Sequence, residues 1–109
     1  MADTLKVLGQ QNPSATTLTD VYTVPASTSA VVSTITVANR SATATTYRIS
    51  VAVAGAANSN EQYLAYDVEI AGNAVHTLTL GISLATTDVV RVYATLATLS
   101  FNVFGVQIA

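Results

Sequence analysis

Apolar residues in this chain recur at every second position. In YRISVAVAG, Tyr47, Ile49, Val51 and Val53 fall on one face, and Arg48, Ser50, Ala52 and Ala54 on the other. That is the alternation of a strand buried on one side. VVSTITVAN repeats it, with Val31, Ile35 and Val37 inward and Thr34 and Thr36 outward. DVVRVYA is apolar on both faces except at Arg91 and reads as a more central strand. LSFNVFGVQI puts Leu99, Phe101 and Val103 on one side and Phe104, Val106 and Ile108 on the other, with Gly105 a candidate bulge that switches faces. No segment carries a helical stripe; SATAT is short and flanked by β-branched residues.

Strands are expected at Leu5–Leu8, Leu18–Val24, Ala30–Asn39, Thr45–Ala54, Tyr63–Ile70, Val75–Leu80, Val89–Ala94 and Leu99–Ile108. Turn residues separate them. Gly72-Asn73 takes positive φ cheaply and predicts a hairpin between the fifth and sixth strands. AGAANSNEQ is the expected exposed loop. About eight short strands with regular breaks predict an all-β antiparallel β-sandwich, immunoglobulin-like or jelly-roll-like. Residues 1–109 form one domain on this reading, with Ile35, Val37, Ile49, Val51, Val90, Val92, Phe101 and Val103 in its core.

Half of the residues are hydrophobic but only 9% are charged, well below the usual quarter. Alanine, threonine and serine fill the gap, so the surface is neutral and hydroxyl-rich. Such a surface repels its own copies weakly and suits dense assembly. The net charge is −2, and Lys6, Arg40, Arg48 and Arg91 are scattered rather than striped. That excludes the clustered cations a nucleic-acid partner needs. With no cysteine, disulfides and thiolate chemistry are excluded. MADTLKVLGQ has no apolar core after a basic patch, as a secretory leader has, and no apolar run approaches the roughly 20 residues of a membrane span.

Residues capable of chemistry are few. His76 is the only histidine, and no carboxylate spacing completes a metal site around it. It reads as a surface or edge-strand residue. Asp67 and Glu69, at i and i+2, read as a solvated strand face, with weak calcium binding as the alternative. Asp88 follows two threonines and is expected to cap its turn by accepting backbone N–H bonds. Arg91, inside an apolar strand, is expected to pair with Asp67 or Glu69 within the chain, or to reach another subunit. Tyr63 and Tyr66 are expected on opposite faces, one filling the core and the other meeting a partner. No catalytic residue, cofactor or metal site is expected.

VYTVPASTSAVVSTITVANRSATATTYRISV (Val21 to Val51) resembles a segment of small structural proteins of tailed bacteriophages, and DVVRVYATLATLSFNVFG (Asp88 to Gly105) resembles their closing strands. The two stretches cover just under half of the chain in matching order. The resemblance implies a virion component with a β-sandwich fold, made in the bacterial host cytoplasm, and transfers no catalytic residues. A capsid decoration (cement) protein on the capsid exterior is the first expectation. It would be bound to the major capsid protein and to itself as a homo-oligomer, a trimer. The alternatives are a tail, baseplate or fibre-associated protein, or a carbohydrate-binding module. Leu5, Val7, Tyr63, Tyr66 and Arg91 are the candidate partner contacts. Residues 1–12 are a candidate contact arm, in which LKVLG adds to a neighbour's sheet edge unless it pairs within its own sandwich.

Overall fold

A computed structural model describes residues 3–109; Met1 and Ala2, the first residues of the expected arm, lie outside the described residues. The described residues form eight strands: β1 (Asp3–Gln11), β2 (Thr19–Thr23), β3 (Ser29–Asn39), β4 (Thr45–Ala52), β5 (Tyr63–Ile70), β6 (Val75–Leu84), β7 (Val89–Ala94) and β8 (Leu99–Ile108). They build two four-stranded sheets, ordered β1-β8-β3-β6 and β2-β7-β4-β5, with every ladder antiparallel. β1 pairs with β8, β2 with β7, β3 with β6 and β4 with β5, as if one long hairpin had been rolled up. This is the double Greek-key order of a jelly roll. Of the two sandwich topologies open to the sequence, the jelly roll is the one formed.

The two sheets close over one apolar core. Seven of the expected core residues, Ile35, Val37, Ile49, Val90, Val92, Phe101 and Val103, are fully buried. Val51 is half-buried and packs against the core from its margin. Val53 departs from expectation: β4 ends at Ala52, and Val53, 71% exposed, enters a 3₁₀ turn in which Ala54 and Gly55 take positive φ.

Three strands of the first sheet carry irregularities at one level. The β1–β8 register slips between Val7 and Gly9, and the β3 registers with β8 and β6 slip between Val32 and Thr34. On β6 the slip spans Leu80 and Gly81, and Gly81 has φ +63°. The bulge at Ser33 explains why Val32 is buried where alternation puts Val31 inward. β8 itself stays regular, so Gly105 marks no bulge in its own strand. It lies between the bulged neighbours, where a Cβ would come within 2.1 Å of the Val31 carbonyl oxygen. β6 runs through Gly81 to Leu84 for the same reason, four residues past the expected end.

Loop chemistry fixes the ends. Asp88, buried, accepts the backbone N–H of Ala54 and of Ala85, each at 2.9 Å, capping its own turn and pinning the β4–β5 connection. Asn39 ties Thr43, Ala71 and Ser41 together. The expected hairpin of the fifth and sixth strands does not form: β5 and β6 belong to different sheets, and the turn in which Asn73 takes positive φ carries the chain from one sheet to the other. His76 lies on edge strand β6, its Nδ1 2.9 Å from the Tyr47 hydroxyl across the sandwich.

Candidate interaction faces

The five candidate contacts fall on opposite sides of the sandwich. Leu5 and Val7 belong to the outer face of the β1-β8-β3-β6 sheet. The expected arm is not free: Asp3–Gln11 pairs with β8 and forms the edge of its own sheet. Within that edge the polarity is inverted. Leu5, 83% exposed, and Val7, 45% exposed, point away from the core, while Thr4 and Lys6 take the core-side positions, also exposed. The opposing edge strand β2 is only five residues long and leaves this half of β1 uncovered.

The outward apolar pair has neighbours. Leu5, Val106 and Val31 form one cross-strand row, and Val7, Phe104 and Thr34 the next. Val31, Phe104 and Val106 are half-buried, so the apolar surface is continuous over β1, β8 and β3. Beyond the bulge at Leu8 the outer face turns polar: Gln10, Asn102 and Thr36 form a row, with Gln10 donating to Asn102 at 2.7 Å. Fully burying an aliphatic side chain is worth about 1.5–3 kcal/mol. An edge strand that turns its aliphatic residues outward forgoes this within the monomer. Contiguous outward apolar surface of this kind marks an interaction site.

Tyr63, Tyr66 and Arg91 lie on the outer face of the β2-β7-β4-β5 sheet. The tyrosines do not split between faces as the alternation predicts. The β4–β5 register slips twice, between Tyr47 and Ile49 and between Ile49 and Ser50, each time by an extra β5 residue. Ala65, Val68 and Ile70 consequently face inward, and both rings turn outward, 4.9 Å apart and nearly perpendicular. Asp67, at φ 51°, sits in the first bulge.

Arg48, which the sequence marked only as outward-facing, organises this surface. Its guanidinium lies 4.1 Å from the Tyr66 ring centre and 4.5 Å from that of Tyr93, and donates to both Asp67 carboxylate oxygens at 2.7 and 3.3 Å. The hydrogen bond to Asp67, with its charge, raises the Arg48 pKa further above its ordinary value. Asp67 is therefore paired with Arg48, not with Arg91, and is not an open carboxylate beside Glu69. Arg91 instead pairs with Asp20 at 3.0 Å and donates to the Ala56 and Gly55 carbonyls at 2.8 and 3.3 Å. Its head clamps the β4–β5 connection onto the sheet, which leaves it drawn into its own chain.

Among the described residues, no group of three or more histidine, cysteine, aspartate or glutamate side chains is placed to hold a metal ion. Among the described residues, no helix is long and apolar enough to cross a membrane. No family model, curated protein or solved structure matches the chain.

Proposed function

We propose that the protein is a non-enzymatic structural component of a tailed-bacteriophage virion. On this reading it decorates the capsid exterior and docks on the major capsid protein through the face built by Leu5, Val7, Phe104 and Val106. The observation that carries the docking face is the inverted polarity of β1, with Leu5 83% exposed beside half-buried Val106. The resemblance of Val21–Val51 and Asp88–Gly105 to small phage structural proteins supplies the setting. The jelly roll supports the reading at the level of architecture, since viral capsid domains are among the proteins built this way; fold alone does not define function. The neutral surface suits close packing of many copies.

A homo-oligomer, a trimer, belongs to the same proposal. Closed symmetry is the common outcome for repeated subunits, and linked copies bind a lattice with high effective concentration even when each contact is weak. The test is co-sedimentation with capsid shells lacking the chain. The wild type is expected to pellet with shells to a saturating stoichiometry, and the Leu5→Asp/Val7→Asp variant to stay in the supernatant. Equal pelleting of folded variant and wild type removes this face from the account.

A further inference from the structure

The surface opposite the proposed docking face has a construction that docking does not use. Tyr63, Tyr66 and Tyr93 are three of only five tyrosines in the chain, and all three share one outward face. Tyr66 is 55% exposed. Between β5 and the preceding loop lies an open cleft of about 330 Å³ lined by Asn60, Tyr63 and Tyr66. That is within the size range of small-ligand sites, at its lower end.

We infer that this cleft is a binding site for a neutral saccharide. The lining sets the chemistry. Aromatic rings offer apolar surface to the C–H face of a sugar ring, while the Asn60 amide and the phenol hydroxyls offer donors and acceptors to its hydroxyls. The lining side chains are uncharged, and the nearest ion pair, Arg48 with Asp67, is internally neutralised. A charged ligand finds no unpaired countercharge in the lining. The site is also held in shape. Arg48 packs against Tyr66 and is pinned by Asp67, and Asn58 Nδ2 donates to the Tyr63 hydroxyl at 2.9 Å. Pre-ordered side chains reduce the entropy lost when a ligand binds.

A peptide strand is the competing occupant, because β5 is the edge of its sheet. The two register slips in β5 break the regular ladder that an added strand needs, as bulges do on protected edges. The occupant is therefore bound through side chains rather than backbone.

The test uses the full chain on a printed array of neutral and acidic oligosaccharides. Calorimetric titration with the best-bound neutral oligosaccharide follows. The expected result is saturable binding to neutral glycans, weakened about tenfold or more by Tyr66→Ala and by Asn60→Ala, with melting temperatures near wild type. If Tyr66→Ala does not fold, Asn60→Ala carries the comparison. The inference is overturned by no glycan binding, by binding confined to acidic glycans, or by binding that folded variants leave unchanged. It is also overturned if Tyr66→Ala impairs only capsid association, which makes the tyrosines a protein contact. Leu5→Asp/Val7→Asp is expected to retain glycan binding, which separates this site from the docking face.

Discussion

Leu5 stands directly opposite Val106 across the β1–β8 ladder, and both side chains point away from the core. The pair joins an edge strand to the closing strand where the β1 apolar residues face outward and its polar ones face in. Because Leu5 is 83% exposed, Leu5→Asp is expected to cost no more than about 1 kcal/mol, the span of strand propensity. Urea denaturation of the isolated protein checks this. A loss of several kcal/mol shows that Leu5 supports the fold and is not reserved for a partner.

Gly105→Ala tests the row of bulges. The added Cβ meets the Val31 carbonyl oxygen at 2.1 Å, a backbone atom in the neighbouring strand that cannot rotate away. The expected cost is about 3 kcal/mol or more, read as a lower denaturation midpoint. Gly81→Ala meets nothing within 4 Å but sits at φ +63°, so its smaller cost is purely conformational.

Asp88→Ala leaves the backbone N–H groups of Ala54 and Ala85 without their acceptor. Two hydrogen bonds of about 0.5–1.5 kcal/mol each are lost, so a total of about 1–3 kcal/mol is expected. Asp88→Asn keeps one acceptor oxygen and recovers part of the loss. Faster hydrogen exchange at Ala54 and Ala85 in the alanine variant locates the effect.

The Tyr47 hydroxyl gives a pH signature. Burial raises its pKa above the ordinary 10.0. A raised folded-state pKa means that the folded protein holds a proton the unfolded chain releases. The stabilisation is complete below pH 10 and is lost as pH rises through the folded value. Ultraviolet titration is expected to show Tyr47 ionising above the ordinary tyrosine range, together with loss of structure. Tyr47→Phe is expected to remove that late step.

Much of the fold was legible because alternation, turn residues and scarce charge agree. β5, β7 and β8 begin and end where the sequence places them. The misplaced faces in β3 and β5 share one cause. Alternation assumes one residue per step on each strand, and bulges break that assumption. Val32, Ile35 and Val37 are buried with one step of three among them, and inward-facing Ala65, Val68 and Ile70 repeat that spacing. Those spacings were the available sign of the bulges at Ser33 and in β5. The Arg48–Asp67 pair was illegible because it depends on where the β5 bulge aims its carboxylate. The outward face of Leu5 and Val7 was half-legible. Phe104, Val106 and Ile108 already stood opposite the core side of their strand, but only the β1–β8 register brings Leu5 and Val7 beside them.

On the proposed reading the chain coats a capsid through one apolar face. The most direct test is the copy number per virion, measured by quantitative mass spectrometry of purified particles against the major capsid protein. Hundreds of copies, in a fixed simple ratio to the capsid subunit, are expected. A count of about three, six or twelve per particle contradicts it and moves the protein to the tail.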